Sequence, residues 1–336
     1  MMKELPRADA SVVPSNLRVL AAVSSGADSM ALLAWLLSLG RDVIVGHVNH
    51  DLHELRNGDC QRDEDFVRDR CAQSGIAFRT KTVELLRRSG HVNENVAREA
   101  RYLALAEMAR ENGCSLVATA HTATDGLETA LLNLMRGAGP QGFSGIAPTR
   151  PLNSEISLVR PFWNVAREAT REFLRQNGWN WREDASNLDP LFRRNRVRNE
   201  ILPLLGEISG QNTDDLAVRF AANAQVTRDE ADWVAKCARE TLESLILRHS
   251  NDLLILDGRK FAELETALAR RVLRLAIQTL APDFRDLARE KIEETRICVV
   301  SGGKRAVWTW RGDLRVEWTG AGAGNRLRFW RVKPLQ

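Results

Sequence analysis

Six residues between an apolar run and a helical run hold the first recognisable chemistry in this sequence: Ser24-Ser25-Gly26-Ala27-Asp28-Ser29. Small side chains let backbone N–H groups approach a phosphate, and the N-terminus of the following helix favours an anion. No Gly-Lys-Ser/Thr follows, so this is not the P-loop of kinases and GTPases. Asp28, inside a loop suited to a polyanion, fits a Mg2+ ligand or a carboxylate facing a nucleophile; the alternative is a tight turn with a capping Asp. A second group runs from His121 to Thr129. If a helix begins near Asp125, then Asp125 and Glu128 share one face, either to meet a cation or as an ordinary acidic helix start. His121 would stand at the preceding strand end. Arg98 and Arg101 lie three apart on one helical face, whereas Arg194, Arg196 and Arg198 cannot all share one.

These residues need a frame. LRVLAAV reads as a buried strand, MALLAWLLSL as an apolar helix ended by Gly40, and DVIVGHVNH as a second strand. CQRDEDFVRDRCAQSG is an amphipathic helix, IAFRTKTVEL a third strand, ENVAREARYLALAEMARENG a long helix, CSLVATAH a fourth strand and LETALLNLMRG another helix. Strands alternating with helices predict an α/β fold with a doubly wound parallel sheet, and ligands of such sheets sit at the carboxyl ends of the strands. SSGADS, HVNH and ATAH all lie there. RGAGPQGFSGIAP is expected as loop, REATREFLRQNG as helix, and RRNRVRNEILPLL as an Arg-studded helix closed by Pro203. A boundary in the loop-like GEISGQN separates residues 1–208 from 213–336, which read as long amphipathic helices ending in a small β-meander.

Composition narrows the class. The chain has 336 residues, a formal net charge of +4 and 44% hydrophobic residues, which is ordinary for a folded protein of two domains. The apolar stretch Met30–Leu39 is too short for a bilayer, so no membrane partner is expected. The N-terminus lacks a secretory apolar core, which predicts a cytoplasmic location. Five scattered cysteines without a CxxC pair argue against a disulfide framework, a zinc ribbon and an iron–sulfur site. The charge is uneven: residues 301–336 carry eight basic and two acidic side chains, so the remainder is slightly acidic. Of the 48 basic residues 41 are Arg, whose planar fork suits phosphates and base edges, although Arg-rich codon usage would give the same count.

VLAAVSSGADSMALL resembles the pyrophosphate loop, S-G-G-x-D-S, of the N-type ATP pyrophosphatases. With HVNH (47–50), ENVAREARY (94–102), ATAHTATDGLETALLNLMRGAGPQGFSG (118–145), RPF (160–162) and EDASNLDPLFRRNRVRNEILP (183–203) in order, the chain resembles the tRNA(Ile)-lysidine synthase family from about Arg18 to Leu205. Residues 265–299 and the β-rich end are similar to that family's next domain. The resemblance implies ATP and Mg2+ as cofactors, with a tRNA(Ile) bearing a CAU anticodon and free L-lysine as partners. The wobble cytidine would be adenylated and AMP then displaced by the lysine side-chain amine; a homodimer stays open. Ser24, Ser25, Gly26, Ala27, Asp28 and Ser29 would bind ATP, with Asp28 on the metal, and Asp125 and Glu128 would bind lysine. His121, Arg101 and Arg194 would join Asp28, Asp125 and Glu128 in catalysis. Arg196, Arg198, Arg326, Arg328 and Arg331 would contact tRNA, and Asp184, Ser186 and Asn187 would shape a loop. The tail interleaves Trp308, Trp310, Trp318, Phe329 and Trp330 with Arg, predicting aromatics inside and arginines outward. The further C-terminal domain of some members is not expected.

The sequence departs from the family in four places. Ser25 replaces a glycine, Thr124 an aspartate and Gly126 a glutamine, and a short insertion after HVNH moves an arginine to Arg56. Asp28, His121, Asp125 and Glu128 remain, which predicts an active enzyme. The rival readings are a tRNA-thiolating relative, disfavoured by the cysteine pattern, and a non-catalytic tRNA-binding protein, motivated by the three substitutions.

Overall fold

The computed structural model describes residues 3–50, 59–83, 94–183, 193–282, 284, 287–310, 313–320 and 324–332. They form two compact units, 1–228 and 229–336. The first is built on a six-stranded sheet of β1 (Val19–Ala22), β2 (Val43–His50), β3 (Ala77–Val83), β4 (Leu116–Ala118), β5 (Thr149–Pro151) and β6 (Ser157–Val159). Its order is β3-β2-β1-β4-β6-β5, parallel except for the antiparallel edge strand β5. The two short last strands were hidden in the sequence, because they stand among Pro and polar residues with no extended apolar run around them, unlike the equally short β4 inside CSLVATAH. The order reverses between β1 and β4, so the loops leaving those strands flank one crevice, the usual ligand position of an open parallel sheet.

Helices cover both faces. On one side lie α1 (Ala27–Ser38), α2 (Asp59–Ser74) and α6 (Arg167–Gln176); on the other lies α3 (Glu94–Glu111). Helix α1 is apolar around its whole circumference, as a helix covered on all sides must be. Leu32, Leu33 and Leu36 are wholly buried in it, each contributing roughly 1.5–3 kcal/mol by leaving water. Helix α4 (Ala123–Met135) starts before the expected Leu127, because Thr122 N–H donates to Asp125 Oδ2 at 2.8 Å and begins the helix with a reciprocal cap. The Gly/Pro-rich stretch after it contains a short helix, α5 (Pro140–Phe143), and folds back on α4. There Gly145, at φ +70°, lies so close that a Cβ would stand 2.5 Å from the Gly126 carbonyl oxygen. Only glycine fits.

Pro203 does not close a helix. Helix α7 (Arg193–Arg196) widens into a π-helical turn (Val197–Ile201) and continues as α8 (Leu202–Ser209), with Pro203 in the first turn of α8 where its missing N–H costs least. GEISGQN is therefore mostly helix, ended by Gly210 at φ +67°. Helix α9 (Thr213–Leu245) follows, and its Ala217 and Ala221 pack with Ala123, Leu127, Val197 and Leu202. This contact joins the start of α9 to the first unit, whose compact limit is Arg228.

In the second unit, strands β7 (Ile246–Ser250), β8 (Leu253–Asp257), β9 (Ala306–Thr309), β10 (Leu314–Trp318) and β11 (Arg326–Arg331) form one antiparallel sheet in the order β7-β8-β11-β10-β9. The expected meander is β9–β11; the hairpin β7–β8 extends it, its first strand cut from what reads as the end of a helix. Helices α10 (Gly258–Ala262), α11 (Thr266–Leu280) and α12 (Arg289–Val300) complete the core. Trp310, Trp318 and Phe329 are buried there and Trp308 and Trp330 half-buried. No helix among the described residues is long and apolar enough to cross a membrane.

Candidate active site

The loop leaving β1 turns on Ser25, whose φ of +69° is the left-handed value that favours glycine. Gly26 has an ordinary φ of −69° and caps α1 with no side-chain hydrogen bond to the first-turn amides. A Cβ on Gly26 would meet only Ser24 Oγ, at 3.9 Å. The loop is held from within: Ser29 Oγ accepts from Ser24 N–H at 3.1 Å and donates to the Gly26 carbonyl at 2.9 Å. Ala27 and Asp28 open the helix. This leaves an amide-lined, uncapped helix N-terminus facing open space, which fits a phosphate chain.

Asp28 points across the crevice. Its Oδ1 accepts from Thr170 Oγ1 at 2.6 Å, and Arg167 Nε lies 3.4 Å from Oδ2, both partners on α6. Burial pushes the Asp28 carboxyl above its ordinary range, against the pull of Arg167. Asp125 uses Oδ2 for the Thr122 cap and Oδ1 for guanidiniums: Arg167 at 2.9 Å, Arg194 at 3.0 Å and Arg198 at 3.4 Å. Burial alone would raise its pKa, but Arg167, Arg194 and their neighbours hold it far below the usual carboxylate range. Glu128, with no exposed surface, accepts from Arg194 Nε at 2.7 Å and Arg198 Nε at 2.6 Å. Three carboxylates and three guanidiniums thus balance within one buried hub. Removing one member would leave a buried unpaired charge, a loss on the order of 3–5 kcal/mol.

His121 follows β4, its Nδ1 2.9 Å from Thr119 Oγ1. Burial, with the charges of Arg160, Arg194 and Arg98, pushes its pKa down to about 3. His121 is therefore neutral at working pH, with ring nitrogens free of positive charge for hydrogen bonding.

The structure brings Asp28, Asp125, Glu128 and Arg194 together as expected of one site, and adds Arg198, which was expected on tRNA. Arg194 and Arg198, four apart, share the face toward α4, while Arg196 points outward and pairs with Glu200 at 2.9 Å. Arg101 is exposed on α3. Arg326 and Arg331 are exposed on β11, and Arg328 reaches the buried Glu317 at 3.1 Å. Arg56, Asp184, Ser186 and Asn187 lie outside the described residues.

Sequence reasoning passed over Arg167, Thr170 and Asp214. Arg167 carried a signal, because a cation in the first turn of a helix opposes the helix dipole and needs a compensating acid. Asp214, on α9, caps that same turn, accepting from Glu168 N–H at 2.9 Å, Arg167 N–H at 3.3 Å and Thr124 Oγ1 at 3.2 Å. The hydroxyl that replaces the family's aspartate thus meets a carboxylate from elsewhere in the chain.

Mg2+ binds through one or two carboxylates plus phosphate oxygens and water. Asp28, partly open to solvent beside the amide-lined loop, fits that donor set. Among the described residues no group of three His, Cys, Asp or Glu forms a closed metal cage, so a cation here would take most of its ligands from phosphate and water.

An ATP-type phosphate loop at the switch point of a parallel sheet, facing a charged hub, defines a PP-loop protein, and residues 4–205 match the PP-loop domain family. A solved structure with the same fold is the U34-tRNA thiolase NcsA from Methanococcus maripaludis, 16% identical, with a TM-score of 0.51 over 65% of this chain and 75% of that one. Within this class the chain belongs to the tRNA(Ile)-lysidine synthase family. The tRNA(Ile)-lysidine synthase of Solibacter usitatus is 32% identical over 96% of this chain and 71% of its own length; that of Nostoc sp. is 32% identical over 80% and 81%. The Symbiobacterium thermophilum protein is 34% identical over 79% of this chain, which spans 56% of that relative.

Proposed function

We propose that this chain ligates L-lysine to the position-2 carbon of the wobble cytidine in a tRNA(Ile) with a CAU anticodon, through an adenylated tRNA, releasing AMP and pyrophosphate. The observation that carries the reading is the hub that ties Asp28 of the phosphate loop to Asp125 and Glu128 through Arg167. It couples a place for the triphosphate to a place for an amine. A carbonyl on an aromatic base is a poor electrophile, so activation needs fixed phosphates and cations on the departing groups. Ser24, Ser25, Gly26, Ala27 and Ser29 would bind the phosphates, and Asp28 would hold Mg2+, which would supply charge to offset the triphosphate.

Asp125 and Glu128 are saturated by arginines, so a lysine ammonium reaches them only by displacing a guanidinium. ATP supplies the competing anion: Arg167, which spans both sites, moves toward the phosphates and releases carboxylate oxygens to the amine. Neutral His121 would orient the reacting groups by hydrogen bonding, while the proton released as the amine attacks passes to water, because an imidazole whose pKa is held at about 3 is too weak a base to take it. Arg101 and Arg194 assist at phosphate or substrate, and Arg196 with the exposed arginines of β11 contacts RNA backbone.

The test is mass spectrometry of nucleosides from tRNA(Ile) incubated with protein, ATP and isotope-labelled lysine. Labelled lysidine is expected, and its absence overturns the reading. Asp28→Asn is expected to lower pyrophosphate release at least 100-fold while tRNA affinity stays within about twofold. Parallel loss of tRNA binding would make Asp28 a folding residue instead.

A further inference from the structure

Beyond the hub, on the α3 face of the sheet, three arginines gather without an acid among the described residues. Leu158 of β6 faces α3 and Val159 faces α1, so the alternation of the strand turns Arg160, the next residue, toward α3. Arg150 on β5 pairs in register with Leu158 and shares that face. Arg98, on the first turns of α3, completes the group. All three surround Tyr102: the guanidinium carbon of Arg150 lies 4.7 Å and that of Arg98 5.6 Å from its ring centre, and Arg160 meets its hydroxyl.

Arg160 is 1% exposed. One of its Nη atoms donates to the Ala147 carbonyl at 2.6 Å, while its buried Nε has no partner. Among the described residues no carboxylate pairs with Arg98, Arg150 or Arg160. The hub arginines Arg167, Arg194 and Arg198 each meet a carboxylate, whereas an uncompensated buried guanidinium such as Arg160 is costly. Burial and the neighbouring arginines push Arg160 down to about 10. Arg98 and Arg150 are half-exposed, so the group opens to solvent. Its position is close to the site: Thr119, which bonds His121, also donates its N–H to the Val159 carbonyl, next to Arg160.

We propose that Arg98, Arg150 and Arg160, assembled around Tyr102, form an oxyanion pocket that takes a backbone phosphate of the RNA strand beside the base being modified. The inference rests on the reading of the substrate as tRNA. A phosphodiester is a monoanion with no attached cation, and planar guanidiniums match its oxygens. A free amino acid fits poorly, since its ammonium stands next to its carboxylate and would enter a cluster of three positive charges with no acid. The triphosphate has its own amide-lined loop on β1, two strands and about 10 Å away.

The test measures binding of a tRNA(Ile) transcript with a CAU anticodon over a salt series, for wild type, Arg98→Gln, Arg150→Gln and the charge-preserving Arg98→Lys. Each neutralisation is expected to weaken binding several-fold and to reduce the slope of log K against log salt by about 0.7–1, with the Lys variant retaining most of the slope and with the lysine KM unchanged. Unchanged affinity and slope in both Gln variants would overturn the pocket. So would a rise in lysine KM at constant tRNA affinity, which would assign the arginines to the amino-acid carboxylate. Failure of wild type itself to bind the transcript would instead overturn the tRNA reading. All three variants are at half-exposed positions, and a thermal melt matching wild type shows that they fold.

Discussion

Gly26 and Ser25 divide two tasks that one glycine often performs. Ser25 bears the left-handed backbone, and Gly26, with no conformational need for glycine, keeps the approach to α1 open. Gly26→Ala therefore separates folding from binding. Its stability is expected within about 0.5 kcal/mol of wild type in urea unfolding, because the new methyl meets nothing closer than 3.9 Å. Its KM for ATP is expected to rise at least tenfold, because the methyl stands where a phosphate approaches the amides. His121 makes the second prediction at this scale. In the folded chain it stays neutral down to about pH 3, whereas in the unfolded chain it takes a proton near pH 6.5. Unfolding thus binds a proton in that window, and stability falls as pH drops from about 6.5 toward 3 and is flat above. In His121→Gln the decline between pH 7 and 4.5 should be shallower than in wild type. Equal slopes would mean that His121 titrates normally.

At the scale of elements, the hub is a joint between α4, α6 and the α7 region, and Asp214 on α9 fixes the joint's angle. By capping α6 and accepting from Thr124 it places the Arg167 backbone, so that the side chain reaches three carboxylates. Asp214→Ala is expected to cost about 1–2 kcal/mol in denaturation, as loss of a helix N-cap does. It should also lower kcat for lysidine formation, while Asp214→Asn, which keeps acceptor geometry, recovers much of both. Activity unaffected in the Ala variant would separate the cap from the hub. The alternating strands and helices were readable because α1, α3 and the first strands are long and apolar in the right period. The joint was not, since Arg167, Thr170 and Asp214 lie far from Asp28 and Asp125 in sequence and carry no shared spacing.

Across the whole molecule, the basic tail is less free than its composition suggests. Glu317, 4% exposed by its side chain, is held by Arg305 at 2.7 Å and Arg328 at 3.1 Å, and Arg331 lies 3.6 Å from Asp313. Arg326 and Arg331 stand on the exposed edge of the pattern. Arg326→Gln with Arg331→Gln should leave stability within about 0.5 kcal/mol but flatten the salt dependence of tRNA binding. Arg328→Gln should cost about 1 kcal/mol or more, since it strips a partner from a buried carboxylate. If the double variant and Arg328→Gln behave alike in both assays, the distinction between structural and RNA-facing arginines is wrong.

The sequence by itself determined the small-residue loop before a helix, the parallel α/β frame and the pairing of Asp125 with Glu128 on one helix face, because each rests on local order: small residues ahead of a helix, apolar periodicity, and acids one helical turn apart. It also placed the tail aromatics inside and most of its charge outside. Only the tertiary structure decided which arginine meets which acid. Arg198 moved from the expected RNA surface into the hub, Arg167 emerged as its centre, and Arg98, Arg150 and Arg160 converged from three elements. Coulomb pairing acts through space between side chains that chain folding brings together, and a charge in a sequence carries no mark of the partner it will find.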